Sequence, residues 1–277
     1  MRDGNQSTLV IESDKQELHY WKDLWRYREL FYFLAWRDIL VRYKQTAIGF
    51  LWAIIRPLFT TIVLVVVFEK LAKLPSDGVP YAILVLSAIL PWQFVSTTFS
   101  AAGNSLVNNA GMISKVYFPR LIIPASTLIV CLIDFIIGLI MLGLVMAWYG
   151  YSPDIQILVL PLLLVYSAIT ALGAGLWIAA LNVKYRDFRY VIPFAVQLGL
   201  YISPVGFSST VIPEKWRLLY SLNPMVGVID GFRWAILGGK TSLYLPGFTV
   251  SIILVLILMI SGLVYFRHTE KSFADVI

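Results

Sequence analysis

The sequence predicts an all-α protein that crosses a membrane six times. Apolar residues make up 59% of the chain, charged residues only 14%, and the mean hydropathy is +0.78. Soluble domains carry about 25% charged residues. Several apolar runs exceed the roughly 18 residues that mark a bilayer-spanning helix, and the alternation typical of membrane β-barrel strands is missing from the sequence. These three observations favour a bundle of membrane helices.

The N-terminal region is predicted to lie outside the membrane. Residues 1–27 and 28–48 are hydrophilic to mixed and contain no apolar stretch typical of a cleavable signal peptide, so the first span is expected to direct insertion. Residues 28–48 alternate charged and apolar side chains at helical intervals, which predicts an amphipathic helix on the membrane surface. Arg37 falls between Leu30 and Leu34 on the apolar face. Part of this helix is therefore expected to meet protein or an anionic group.

Residues 49–269 are predicted to form one transmembrane domain. The six spans are expected at about 49–68, 81–102, 121–148, 155–181, 190–207 and 246–266. Between the last two spans, the segment 208–245 is broken by prolines and a glycine pair. It predicts one or two short helices that dip into the membrane where protein buries them. Most Lys and Arg residues flank the side that holds both termini, so the positive-inside rule places both termini in the cytoplasm.

The sequence argues against an enzyme. His19 and His268 both lie outside the spans, acidic residues are scarce within them, and the chain carries no CxxC, HExxH, Walker or GxSxG motif. No catalytic or metal-binding residue is therefore predicted. The single cysteine, Cys131, excludes an internal disulfide. The net charge of +6 comes from basic residues that flank spans, so no nucleic-acid partner is expected.

Two charged residues fall within predicted spans, where a charge marks a functional candidate. Arg56 lies ~10 Å into the first span. It either extends towards the lipid headgroups or a structural partner, or holds an anionic group such as a phosphate. Asp134 lies near the middle of the third span. A structural hydrogen bond to Ser, Thr or backbone, a pair with Arg56, and a role in transport are the three alternatives.

Aromatic residues within the spans are candidates for a substrate path, because aromatic faces can stack on sugar rings while remaining apolar. With Arg56, the predicted path residues are Phe59, Phe94, Phe99 and Tyr201. The polar segment 103–120, between the second and third spans, is long enough for one short helix. It is either a docking site for a soluble partner or a solvated connector.

Four ordered segments resemble a known family. They are RDILVRYKQTAIGFLWAIIRPL, NNAGMISKVYFPRLIIP, NVKYRDFRYVIP and SLNPMVGVIDGFRWAI. Together they resemble the membrane subunit of ABC-2 type exporters, and among these the permeases that export O-antigen, capsule or teichoic-acid polysaccharides. The resemblance covers nearly the whole chain from about residue 25. The N-terminus is somewhat longer than in the family pattern.

The resemblance implies an architecture and partners. Residues 28–45 match the interface helix that packs on a partner ATPase, residues 104–118 match the coupling helix, and residues 213–237 match short re-entrant helices near the outer exit. Two permease copies would form the channel in the bacterial cytoplasmic (inner) membrane. Two separate ATPase subunits would bind ATP and Mg, so this chain itself needs no cofactor. The expected cargo is a lipid-linked glycan.

The resemblance also assigns candidate residues. Coupling to the ATPase is expected from Arg37, Arg42, Asn108, Lys115, Tyr117 and Arg120. An outer gate is expected at Pro213, Trp216, Asn223, Pro224 and Arg233. Two alternatives stay open at this point. One is an ABC-2 permease for a drug or a lipid. The other is an ATP-independent carrier or channel, which predicts inverted repeats and paired broken helices that the sequence does not show.

Overall fold

The computed structural model describes residues 16–44, 49–76, 78–271 and 273, and the regular structure within this part is entirely helical. The helices, in chain order, are α1 Gln16–Arg26, α2 Arg28–Lys44, α3 Gly49–Leu64, α4 Tyr81–Asn108, α5 Ala110–Ile113, α6 Ile122–Trp148, α7 Leu160–Lys184, α8 Phe188–Ile202, α9 Glu214–Tyr220, α10 Pro224–Ile236 and α11 Leu245–Glu270. A π-helix, Val65–Leu71, extends α3, and 3-10 turns occupy Ile155–Val159 and Ser209–Val211. The all-α prediction is confirmed.

Five segments in this part of the chain are long and apolar enough to cross a membrane. They are Gly49–Leu71, Tyr81–Asn108, Ile122–Trp148, Ile155–Lys184 and Leu245–Glu270. The span predicted at 190–207 is not confirmed, because its residues form the 15-residue helix α8 and then a loop that begins at the extended residue Ser203. Fifteen residues rise about 22 Å as a helix, whereas the hydrocarbon core is about 30 Å thick.

The core of the bundle is built around α4. In the most apolar 18-residue stretch of α4, 78% of the residues are buried, because α6, α7 and α10 pack around this helix. Ser87, a buried hydroxyl residue of α4, donates its proton to the main-chain carbonyl of Leu84, so the helix satisfies this polar group itself. Helices α7 and α11 cross closely where Gly173 meets Gly262, and a Cβ atom on Gly173 would lie 2.9 Å from the Met259 backbone. Small residues at such crossings let membrane helices pack tightly.

The predicted loop between the second and third spans begins later than expected. The prediction was wrong for residues 103–108, which continue α4 as regular helix. Ala102, Gly103 and Leu106 are buried on one side of this extension, which favours the helix. On the other side, the Asn104 amide donates to the Ser100 carbonyl one turn earlier, at 2.9 Å. The polar composition that predicted a loop is therefore accommodated within a helix.

Helices α3 and α8 are covered least. Only 11% of the most apolar window of Gly49–Leu71 is buried, in contrast to α4. Large apolar side chains project from both helices; examples are Phe50, Leu51, Phe59, Ile62 and Val63 on α3, and Tyr190, Phe194, Leu198, Tyr201 and Ile202 on α8. The rest of this chain leaves these faces open to lipid or to another protein.

At the α9–α10 end of the bundle, Arg233 of α10 organises the loop after α8. Its side chain is 2% exposed. The guanidinium donates to the main-chain carbonyls of Leu84, Val205 and Phe207, at 3.3, 3.0 and 2.7 Å. The Tyr81 hydroxyl donates to the neighbouring Gly206 carbonyl at 2.7 Å. A planar donor with five N–H groups can join three carbonyls in this way, and it thereby holds the loop against α4.

We predict that Arg233→Ala strongly lowers the stability of the protein, because the substitution leaves the Val205 and Phe207 carbonyls without their donor and opens a cavity. Each buried group left unpaired costs about 1–3 kcal/mol. Thermal unfolding of the purified protein in detergent measures the loss. Arg233→Lys should restore it only in part, since an ammonium group lacks the planar fork. Lys215→Ala, an exposed position on α9, is the control. A melting temperature of Arg233→Ala equal to that of the wild type would contradict the assignment.

Candidate functional site

A polar cavity of about 480 Å³ lies where α2, α3, α4, α6 and α8 meet. Its polar lining comes from Arg42, Arg56, Gln93, Ser96, Thr97 and Asp134, and its apolar lining includes Trp52, Phe94, Phe135 and Val196. The hydroxyl groups of Ser96 and Thr97 donate to the main-chain carbonyl of Gln93, at 3.3 and 2.5 Å. The side chains of Arg56 and Gln93 have no hydrogen-bond partner among the described residues, so both can donate to a bound molecule.

Asp134, at the middle of α6, is paired with the end of α2. The Arg42 guanidinium contacts one carboxylate oxygen, and the Tyr43 hydroxyl donates to the other at 2.5 Å. The two charged side chains are only 37% and 20% exposed. A carboxylate in an apolar helix needs such partners, because an unpaired charge in this environment is costly. Among the described residues, neither Arg56 nor a Ser, Thr or main-chain group binds Asp134, so those two expectations were wrong for this part of the chain, and a role in transport stays a prediction.

Arg56 lines the same cavity from α3. Its side chain is exposed, and within the part of the chain that the structure describes its guanidinium has no hydrogen-bond or ion-pair partner. Arg56 and Asp134 therefore line the same cavity without pairing, since Asp134 is already bound by Arg42. An arginine without a partner beside an apolar helix remains able to bind an anionic group from outside this chain.

The aromatic residues predicted for the substrate path are divided among three places. Phe94 lines the polar cavity but is only 3% exposed, with its ring centroid 5.2 Å from that of Phe135. Phe59 and Tyr201 project from the uncovered faces of α3 and α8. Phe99 lines a separate, mainly apolar cavity of about 200 Å³ between α4, α7, α8 and the start of α10. Within one copy of the chain, the structure does not bring these residues together.

The second feature of the site is the connection between α4 and α6, residues 109–121, which contains α5. The Arg37 guanidinium of α2 donates to the Asn109 side-chain oxygen at 2.9 Å and to the Asp38 carboxylate at 2.7 Å. Asn109 precedes α5 and also donates to the Ser105 carbonyl at 2.8 Å. This contact explains why an arginine occupies an otherwise apolar position of α2. It ties α2 to the α4–α6 connection.

The predicted coupling residues differ in accessibility. Asn108, the last residue of α4, and Lys115 are exposed, and Tyr117 is 83% exposed. Arg120 instead faces the C-terminal end of α11. Its main-chain N–H donates to the Glu270 carboxylate at 2.8 Å and its guanidinium donates to the Glu270 main-chain carbonyl.

Sequence reasoning missed Tyr43 and Glu270. The only signal for either was an ionisable residue at the end of an apolar helix pattern, which many membrane helices share.

The predicted outer-gate residues mostly support local structure. Asn223 accepts a hydrogen bond from the Met225 N–H at 3.0 Å and donates to Ser203 at 3.0 Å. Asn223 therefore caps α10, and Pro224 occupies the first turn, a favourable position for proline. Pro213 precedes α9, and Trp216 on α9 is 52% exposed. Together with the buried Arg233, these residues shape the α9–α10 end, and their role in gating stays a prediction.

The described residues contain no group of three or more His, Cys, Asp or Glu side chains that could hold a metal ion. Membrane-length helices that surround a polar cavity are typical of a membrane transport subunit. The chain belongs to the ABC-2 type transporter family, whose model matches residues 29–237. The resemblance inferred from the four segments is confirmed. Helix α1 lies before the matched region and α11 lies after it.

Several curated proteins are similar to the chain over most of its length. It is 25% identical over 248 residues to the O-antigen export system permease protein RfbA of Klebsiella pneumoniae, covering 87% of this chain and 92% of that protein. It is 28% identical over 215 residues to RfbA of Myxococcus xanthus, covering 76% and 82%. It is 23% identical over 242 residues to the polysialic acid transport protein KpsM of Escherichia coli, covering 85% and 92%.

We predict that Arg42 and Asp134 act as one unit that holds the end of α2. Asp134→Ala leaves Arg42 without its carboxylate, and Arg42→Ala leaves a half-buried carboxylate uncompensated. Each single variant should therefore lower the melting temperature, because removing one partner of such a pair is destabilising. The double variant should be no less stable than the worse single variant. Thermal unfolding of the four proteins in detergent forms the cycle, with Lys44→Ala as the exposed control on α2. Additive losses would contradict the pairing.

Proposed function

We propose that the chain is the membrane-spanning permease subunit of an ATP-driven exporter. Its cargo would be a lipid-linked polysaccharide of the O-antigen, capsule or teichoic-acid type, moved across the cytoplasmic membrane. Family membership supports the class of transporter. The names of the similar proteins, O-antigen export permease and polysialic acid transport protein, support the class of cargo. The structure adds a site suited to such a cargo.

The observation that carries the proposal is Arg56 in the polar cavity. A lipid-linked glycan joins an apolar lipid to sugars through phosphate groups, so its binding site needs a cation next to apolar surfaces. The guanidinium of Arg56 offers planar, charge-assisted donors, and the amide of Gln93 offers neutral ones in the same cavity. The exposed apolar faces of α3 and α8 beside the cavity suit the lipid and a neighbouring subunit.

A second copy of the chain would complete the path. Helices α3 and α8 expose apolar side chains along their length, and a homodimer that joins these faces would cover them. Phe59 and Tyr201 would then line a passage shared by both copies, where their rings could stack on sugars. In this arrangement α8 and the loop after it serve as the sixth crossing, α9 and α10 form re-entrant helices at the outer exit, and both termini are cytoplasmic.

The ATPase partner would dock on the exposed middle of the α4–α6 connection. Lys115 and Tyr117 are exposed there, together with the apolar Val116. Two ATPase subunits would bind ATP and Mg and press on this connection as they close. Arg37 would carry the movement to α2, whose C-terminal end meets α6 through Arg42. Since α2 and α3 follow one another in the chain and both line the cavity, the movement of the ATPase would reach the cavity through these two helices.

The test replaces Arg56 in a strain whose own copy of the gene is deleted. Arg56→Ala should lower surface glycan about tenfold or more, and lipid-linked glycan should accumulate in the cell, because one charge-assisted contact is worth about 1.5–3 kcal/mol. Arg56→Lys should retain part of the export, since it keeps the charge but loses the fork. Lys70→Ala, at the other end of the same helical segment, is the control. Immunoblots must show equal amounts of protein in the membrane.

Other outcomes separate the alternatives. Full export by Arg56→Ala would show that this residue does not bind the cargo. A deletion strain with normal surface glycan and no accumulated intermediate would favour a drug or lipid as cargo. Purification of the chain without any ATPase, combined with transport that needs no ATP, would favour an independent carrier or channel.

A further inference from the structure

A compact cluster joins three separated parts of the chain outside the polar cavity. It consists of Tyr20 on α1, Arg120 at the end of the α4–α6 connection, Arg267 and Glu270 on the last turn of α11, and Phe273 beyond it; we call it the Glu270 cluster. All of its members except Arg120 lie outside the part of the chain that the family model matches. The family model therefore does not cover most of this cluster.

The hydrogen bonds of the Glu270 cluster are those that Arg120 makes. The main-chain N–H of Arg120 donates to the Glu270 carboxylate at 2.8 Å, and the Arg120 guanidinium donates to the Glu270 main-chain carbonyl. The same guanidinium lies 5.7 Å from the ring centroid of Phe273. Phe273 is fully buried and packs edge-on against Phe266 of α11, with ring centroids 5.4 Å apart. Arg120 is thus bound both by polar atoms and by an aromatic face.

Tyr20 adds α1 to the cluster. The Arg267 guanidinium lies 3.8 Å above the Tyr20 ring, within the range of a cation–π contact. Burial, followed by the neighbouring Glu270 carboxylate, raises the pKa of Tyr20, so the phenol stays neutral near pH 7. The Glu270 carboxylate accepts a hydrogen bond from the Arg120 main-chain N–H, and the positive charges of Arg120 and Arg267 lie near it without forming an ion pair with it. It is the one acidic group of the Glu270 cluster.

The consequence is that the α4–α6 connection is fixed at both ends. Its first residue, Asn109, is bound by Arg37 of α2, and its last part is bound through Arg120 to α11. Between these ends, Phe118 is 3% exposed and packs in an apolar cluster that also contains Leu34 of α2. Only the middle, around Lys115–Tyr117, projects from the protein. A connection held in this way moves with α2 and α11 rather than bending by itself.

We infer that Glu270 is a positioning residue that holds the α4–α6 connection, so that movement of a bound ATPase reaches the transmembrane helices. This inference rests on the proposed function. Glu270 does not contact the cargo or the nucleotide. It keeps the exposed middle of the connection in a fixed relation to α11. Without it, the ATPase still binds at Lys115–Tyr117 and still hydrolyses ATP, but its movement bends the connection and is lost.

The experiment compares Glu270→Ala, Glu270→Gln and the wild type in the full complex with the ATPase. Three quantities are measured: the amount of ATPase that co-purifies, the rate of ATP hydrolysis, and surface glycan in the deletion strain. Glu270→Ala should keep the amount of co-purified ATPase and the rate of ATP hydrolysis within about twofold of the wild type. It should lower surface glycan at least about fivefold. Glu270→Gln should be intermediate, because an amide oxygen still accepts from the Arg120 N–H but lacks the negative charge that the nearby Arg120 and Arg267 favour. Lys271→Ala, the exposed neighbour, is the control.

Hydrogen exchange distinguishes positioning from a purely structural role. In Glu270→Ala, amides of residues 114–118 should exchange faster while those of α4 and α7 are unchanged. Faster exchange throughout the bundle, with loss of the bound ATPase, would overturn the inference, because Glu270 would then maintain the fold. Normal export by Glu270→Ala would also overturn it. If the wild-type chain neither binds an ATPase nor restores surface glycan, the proposed function itself fails.

Discussion

The interaction on which the rest of the structure depends is the pairing of the Asp134 carboxylate with Arg42 and Tyr43. Asp134 lies in the middle of the apolar helix α6. Helix α2 supplies the cation that neutralises the Asp134 carboxylate and a hydroxyl group that donates to it. This pairing binds the end of α2 to the bundle at the depth where the cavity opens. One turn and a half earlier, Arg37 binds the same helix to Asn109 at the start of the α4–α6 connection. Helix α2 is consequently an integral part of the helical bundle, and its Arg37 and Arg42 bind partners on other helices or connections of the chain.

These contacts divide the molecule into a firmly packed part and a loosely covered part. Helices α4, α7 and α11 pack closely, and α2 joins them to the α4–α6 connection, while the Glu270 cluster closes its other end. Helices α3 and α8 are attached along fewer surfaces and border the polar cavity. In a transporter, movement imposed on the packed part would change the space between the two loosely covered helices. Two-state changes of this kind arise because packed elements move as units.

Much of the architecture could be predicted from the sequence, because length and hydropathy determine which helices can cross a bilayer. The span at 190–207 was not confirmed, since an apolar segment can also be a short helix followed by a loop, and hydropathy does not distinguish the two. The partners of Asp134 could not be predicted, because they come from a helix about ninety residues earlier and depend on how α2 packs. The contact of Arg120 with Glu270 could not be predicted either, because the two residues are 150 positions apart in the sequence. The position of Arg37 on an apolar face indicated a contact with protein or with an anionic group. The structure shows a protein contact, with the Asn109 side chain.

We expect α2 and α6 to move together during export, while α3 and α8 move relative to each other. Distances between pairs of spin labels measure this movement. Only one copy of the chain in the complex is labelled, and Cys131→Ala removes the native thiol. The labelled pairs, at side chains exposed within one copy, are Val41 with Ile140 for α2 and α6, and Phe59 with Leu198 for α3 and α8. On binding ATP, we expect the distance between the labels on α2 and α6 to stay constant within about 2 Å, while the distance between the labels on α3 and α8 changes by more than that. A change in the α2–α6 distance with a constant α3–α8 distance would contradict it.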